Sequence, residues 1–270
     1  MRTFPIYFLI ALFLVACGGE TATEETGTET EMASEEKASE ENASGITLTP
    51  MPASPSFPGA VITDMIYDNG TFKFGIDPGE DGYELGAQTP DVDQLMCANS
   101  AKGQHIHLIV DNEPYAAKYE ASFEHEIADG EHYILAFLSL SFHESIIHDG
   151  AGTAIVTRTR DNSIVKSAPV KRPMLFYSRP KGTYVGKDTE NVMLDFYVAN
   201  AELGNDYKVK VEVADQTFMV DKWQPYFLKG LGMGEHTVTL TLLDAEGNVF
   251  ETPLNPVSRT ITLQEDKGDS

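Results

Sequence analysis

The chain contains one stretch twice, and that repetition limits what it can fold into. Gln104-His105-Ile106-His107-Leu108-Ile109-Val110-Asp111-Asn112 alternates as a β-strand does: Ile106, Leu108 and Val110 share one face, His105, His107 and Ile109 the other. Offset by 104 positions, Val209-Lys210-Val211-Glu212-Val213-Ala214-Asp215 lies over it. The ungapped match runs on through Lys118 over Lys222, Phe123 over Phe227 and Gly130-Glu131-His132 over Gly234-Glu235-His236. In this alignment His105 and His107 fall on Val209 and Val211, which predicts that the two imidazoles point into a sandwich core.

Short β-branched or aromatic runs separated by Asn-Gly, Asp-Pro-Gly and Ala-Asp-Gly turns predict strands on both sides of the repeat. In the first copy they are Val61–Tyr67, Thr71–Ile76, Gln104–Val110, Phe123–Ile127, His132–Leu140 and Thr153–Arg158. In the second they are Val192–Val198, Tyr207–Val213, Thr217–Val220, His236–Leu243 and Arg259–Leu263. No long 3.6-residue apolar period occurs, so helices are minor. The expectation is an all-β chain of two tandem immunoglobulin-like β-sandwich domains, 58–165 and 170–264, after a disordered acidic tether.

The beginning of the chain reads as an address. Residues 1–16 place Arg2 before an apolar run from Ile6 to Val15, the pattern of a signal peptide. Leu14-Val15-Ala16-Cys17 resembles a bacterial lipobox, which implies cleavage before Cys17 and lipidation of its thiol. Gly18 after the cysteine implies, by resemblance to lipoprotein sorting in enterobacteria, an outer-membrane lipid anchor with the protein periplasmic or surface-exposed. Residues 17–57 read as linker: nine glutamates and one lysine lie between Glu20 and Glu41, too polar to offset chain entropy by burial. Cys97 is the one other cysteine, so no intramolecular disulfide is expected. A net charge of −23 argues against nucleic acid as a partner.

Gly103-Gln104-His105-Ile106-His107-Leu108-Ile109-Val110-Asp111, followed by Gly130-Glu131-His132, is similar to a family of small exported β-sandwich domains. That family carries a Gly-His-His-His-Leu-Leu-Ile-Asp strand and a later Pro-Gly-Glu-His-Thr-Leu hairpin. The second copy matches the hairpin through Gly234-Glu235-His236-Thr237-Val238 and has lost the histidines of the first strand. The order of lipobox, acidic tether and two such domains also resembles envelope lipoproteins labelled phosphopeptide-binding.

Three constellations carry candidate chemistry. Six of the seven histidines lie in the first copy. His105 and His107, about 7 Å apart along one strand face, would join His143 as ligands for Cu or Zn, or else serve as buried structural imidazoles. Eight cationic residues lie between Arg158 and Lys187 against the single acid Asp161. Arg158, Arg160, Lys171, Arg172, Arg179 and Lys181 form the candidate anion site at the domain junction. Ser139, Ser141, His143 and Glu144 suggest a hydrolase, but they are too close in sequence for a triad and lack a nucleophile-elbow pattern. Binding rather than catalysis is therefore expected. The ligand is an anion, such as a phosphorylated peptide or protein partner, at the junction; the alternatives are Cu or Zn at the histidines, or a structural role in envelope assembly.

Overall fold

A computed structural model describes residues 45–54, 57–90 and 97–268. The signal segment, Cys17 and the glutamate-rich stretch lie outside the described residues.

The described chain is all-β, with one 3-10 turn at Gly186–Thr189 and no α-helix. The strands are β1 (Thr47–Pro50), β2 (Val61–Asp68), β3 (Thr71–Asp77), β4 (His105–Val110), β5 (Ala116–Lys118), β6 (Ser122–Glu124), β7 (Gly130–Ser139), β8 (Gly152–Arg160) and β9 (Ser163–Pro169). They continue as β10 (Met174–Arg179), β11 (Gly182–Val185), β12 (Val192–Ala199), β13 (Lys208–Val213), β14 (Gln216–Val220), β15 (Tyr226–Lys229), β16 (Gly234–Leu243) and β17 (Val257–Gln264). They make two immunoglobulin-like β-sandwiches. In the first, sheet β2-β3-β6 faces sheet β5-β4-β7-β8-β9, with Phe72, Ile106, Leu108, Ile134 and Leu138 between them. In the second, sheet β1-β15-β12-β10 faces sheet β11-β17-β16-β13-β14 across Leu194, Leu228, Val209, Val211 and Leu240.

Two features depart most from the sequence reading, and β9 also carries the first sandwich to Pro169, past the expected boundary at 165. Residues 45–54, assigned there to the tether, contain β1, which pairs antiparallel with β15 of the second sandwich, Thr47 opposite Lys229. The chain therefore enters the second sandwich before it builds the first. The signal was present: Ile46 and Leu48 alternate with Thr47 and Thr49, and both apolar residues join the second core.

The other departure is the register of the repeat. The hairpins β7–β8 and β16–β17 superimpose in register at the 104 offset: Gly130 pairs Thr159 as Gly234 pairs Leu263. The strand that precedes them does not. Ile106 pairs Leu138 and Leu108 pairs Ala136; in the second sandwich Val209 pairs Leu242 and Val211 pairs Leu240. Ile106 thus corresponds to Val209, an offset of 103. His105 and His107 correspond to Lys208 and Lys210, not to Val209 and Val211. A slip of one residue exchanges the two faces of a strand, so the histidines point away from their own sandwich core.

Their face is nevertheless buried, because the two sandwiches pack back to back. Ile109, Leu135 and Phe137 from β4 and β7 meet Met174, Phe176, Tyr197 and Ala199 from β10 and β12 in a third apolar cluster. Fully burying a side chain such as Phe137 or Phe176 contributes about 1.5–3 kcal/mol, so this seam is a core in its own right. In the second sandwich the equivalent face of β13 is wet, and Lys210 pairs with Glu212 there at 3.0 Å.

Candidate metal centre

Three histidines meet where the seam reaches the start of β4. His105 and His107 are fully buried and His143 nearly so. Their ligand atoms lie within 4.8 Å of one another. His105 Nε2 is 2.8 Å from His107 Nε2 and 2.9 Å from His143 Nδ1. Four-coordinate zinc bonds of 2.0–2.1 Å would place neighbouring ligand atoms about 3.3 Å apart, so small side-chain rotations open the trio to an ion.

The local fold aims each ring. Gly103 takes φ +85, and a Cβ there would come within 2.3 Å of the Gly86 carbonyl oxygen. Only glycine fits, and its own carbonyl then accepts from His105 Nδ1 at 2.8 Å. The period of two in β4 puts His107 on the same face. Its Nδ1 lies 3.3 Å from Ser178 Oγ on β10. Ser178 is also hydrogen-bonded to the buried Asp195 carboxylate, which takes a second bond of 2.6 Å from Ser145 Oγ. His143 arrives from the turn after β7 with φ +75, an unfavourable backbone for a bulky residue and of the kind that collects at functional sites.

These partners assign the protons. A carbonyl only accepts, so His105 carries its proton on Nδ1. Ser178 gives its proton to Asp195 and accepts from His107 Nδ1. Two unprotonated Nε2 lone pairs therefore face each other at 2.8 Å. Lone pairs at that distance repel unless a cation lies between them. Burial disfavours a proton in that place. Burial lowers His105 from 6.5 to about 4, and Arg179 and Lys181 add to the effect. Burial depresses His107 and His143 strongly as well, reinforced by the neighbouring imidazole and cationic groups. A metal ion uses all three lone pairs at once. Hydrogen bonds from the outward nitrogens of His105 and His107 are the outer-shell pattern that metal-bound imidazoles need.

Aromatic and cationic groups enclose the trio. The Tyr115 ring stacks on His107, centroids 3.6 Å apart and planes at 13°. Its hydroxyl is 3.1 Å from His143 Nδ1 and accepts from Arg179 Nε at 3.0 Å. Lys181 Nζ lies 3.6 Å from the centroid of the same ring and donates to the Tyr115 carbonyl at 2.7 Å. Arg179 is buried, also donates to Tyr184 at 3.1 Å, and makes no ion pair among the described residues. Burial lowers Lys181 to about 8.

Of the six cations taken as an anion site, Arg179 and Lys181 flank the histidines. The other four do not gather with them. Arg158 and Arg160 are exposed on β8, and Lys171 and Arg172 are exposed on the link between the sandwiches, where Arg172 donates to the Glu251 carbonyl. The remaining histidines serve elsewhere. His132 bonds Asp111 at 2.6 Å and the Ala128 carbonyl at 2.8 Å, and His236 repeats the second contact on Gly232 at 2.7 Å. His148 bonds the Phe57 carbonyl. Ser139 Oγ donates to Leu140 and Ser141 Oγ accepts from Thr89, while His143 Nδ1 turns to His105 and Tyr115. The sequence reading missed Tyr115, although a hairpin returning from β4 puts Tyr115, Ala117 and Tyr119 on the histidine face by alternation: Ala117 pairs His107.

Neither a protein-family profile nor any curated protein matches the chain. Solved structures similar to it include fibronectin(III)-like modules of Clostridium thermocellum CbhA, with 15% identity, 35% of this chain and 100% of that one covered, and a TM-score of 0.27. Others are the chicken interferon gamma receptor alpha chain (10%, 78% and 100%, TM-score 0.25) and domains 4 and 5 of the S-layer protein SbsC (11%, 81% and 97%, TM-score 0.22). At these values the fold is read from the sheets themselves.

Proposed function

We propose that this chain is a lipid-anchored envelope protein that binds one Cu or Zn ion at His105, His107 and His143. The observation that carries the reading is the convergence of three buried imidazoles, with His105 Nε2 2.8 Å from His107 Nε2 and 2.9 Å from His143 Nδ1. Imidazole ligands suit both metals. The export signal and the Leu-Val-Ala-Cys lipobox support the address. The role is binding rather than catalysis. Elemental analysis of protein purified without an affinity tag tests it: one Cu or Zn per chain is expected, falling to none in His107→Ala. A chain that holds neither metal after dialysis against micromolar Cu and Zn contradicts it.

A second reading, recognition of an anionic ligand such as a phosphorylated peptide, draws on Arg179 and Lys181. What favours it is a buried guanidinium whose hydrogen bonds go to phenol hydroxyls. Calorimetric titration with a phosphopeptide library should then show binding that Lys181→Gln abolishes, and an unchanged affinity removes this reading.

A further inference from the structure

The trio is three neutral ligands, and the groups around it pose a question of charge. A divalent ion at the histidines would sit beside Arg179 and Lys181, both of which act electrostatically on the imidazoles. Among the described residues no carboxylate joins the ligand cluster. Asp195 is separated from His107 by Ser178. An anionic ligand would remove the conflict, and one side chain is placed to become it.

We infer that the Tyr115 phenol oxygen is the fourth ligand of the metal at His105, His107 and His143. The inference rests on the reading of the trio as a metal site. Tyr115 Oη is already 3.1 Å from His143 Nδ1, close to the roughly 3.3 Å spacing of neighbouring ligands around a tetrahedral ion. On ligation the O–H bond breaks, the metal–oxygen bond forms, and the proton leaves to solvent. The resulting phenolate keeps the hydrogen bond from Arg179 Nε, now between opposite charges and stronger. The guanidinium that would otherwise oppose the ion thus acts through Tyr115 to hold it. The ring stacks on His107, centroids 3.6 Å apart, so ligation tilts its oxygen toward the plane of that imidazole. Tyr119 is the natural control. Its ring also lies against His105, 4.9 Å between centroids, but its hydroxyl is 2.7 Å from Ser100 Oγ.

Cu(II) titration of the full chain reads this directly. A phenolate bound to Cu(II) gives an intense visible charge-transfer band and phenolate modes in the resonance Raman spectrum. The wild-type chain should develop both, saturating at one equivalent. Tyr115→Phe should lose the band and bind Cu(II) at least ~10-fold more weakly, while Tyr119→Phe keeps the band. Stoichiometric Cu(II) binding by the wild type without phenolate modes overturns the inference and leaves the histidine site standing, as does a band that survives in Tyr115→Phe. The Raman measurement on the wild type needs no variant to fold. A chain that takes no Cu(II) overturns the inference. One that takes neither Cu(II) nor Zn(II) overturns the reading of the trio as well.

Discussion

His107 Nδ1 lies 3.3 Å from Ser178 Oγ across the seam between the two sandwiches. This contact ties the second sandwich to the orientation of an imidazole on the first. Ser178 and Asp195 keep the proton on the outward nitrogen and leave Nε2 free. Ser178→Ala should therefore fold and still bind metal, with affinity lowered by ~10–100-fold, the usual cost of losing an outer-shell partner. Competition with a chelator of known affinity measures it. An unchanged affinity would mean that the relay does not orient His107.

The same burial that keeps the rings neutral sets the pH range of the site. Protons compete with metal for an imidazole only below its folded value, and His105 is held at about 4 against an ordinary 6.5. In Tyr115→Phe, which has no phenol proton to release, metal affinity should stay flat from pH 7 to about 5, where an exposed histidine site already weakens. For the metal-free protein, the unfolded chain binds more protons than the folded one between those two values. The stability that His105 contributes is therefore full above 6.5 and lost as pH falls toward 4. Metal titrations of that variant at pH 5 and 7 check the first statement, and a drop of more than tenfold in its affinity contradicts it.

Glu144 behaves in the opposite sense. Burial raises it from 4.5 to about 7, although Ser54 donates to its carboxylate. The folded state holds this proton more tightly than the unfolded one, so stability falls as pH rises from 4.5 to 7. Glu144→Gln should be more stable than the wild type at pH 8, by about 2 kcal/mol after allowance for partial exposure, and show no such gain at pH 4. Urea denaturation at the two pH values measures the difference. An equal effect at both would assign it to packing.

The entry strand β1 completes a sheet edge. A chain beginning at residue 58 lacks Thr47–Pro50, which pair with Tyr226–Lys229, and lacks Ser54 beside Glu144. It should melt at a lower temperature and associate through the bared β15 edge, since unpaired edges template pairing with other chains. Light scattering and thermal melts compare it with a chain beginning at residue 45; identical behaviour would show β1 to be dispensable.

The seam makes the two sandwiches interdependent. Phe137 is fully buried there, edge-on to His107 at 4.9 Å and stacked with Tyr197 at 5.3 Å. Phe137→Ala should cost about 3–5 kcal/mol and weaken metal binding together with stability, read from denaturation and chelator competition on the same variant.

Much of this was legible in the sequence, and the rest was hidden for identifiable reasons. Alternation located β4 and put His105 and His107 on one face. It could not say whether that face meets a core, solvent or another domain, because all three begin from the same period of two. The ungapped repeat gave the wrong choice: Gly130-Glu131-His132 aligns at 104, but the segment between the two strands is one residue longer in the second copy. Val209 and Val211 were thus set over the histidines in place of Lys208 and Lys210. His143 was nameable from residue type alone; its approach to His105 depends on a positive-φ turn that no pattern marks. The basic window was real as composition, yet strand pairing spreads it along β8, the linker and β10, leaving only Arg179 and Lys181 near the site.

Diffraction from crystals soaked in Cu or Zn, recorded on either side of the metal absorption edge, tests the central claim most directly. One anomalous peak per chain is expected, bounded by His105 Nε2, His107 Nε2 and His143 Nδ1. A site empty at full soaking concentration, or peaks confined to His125, His132 or His148, would contradict it.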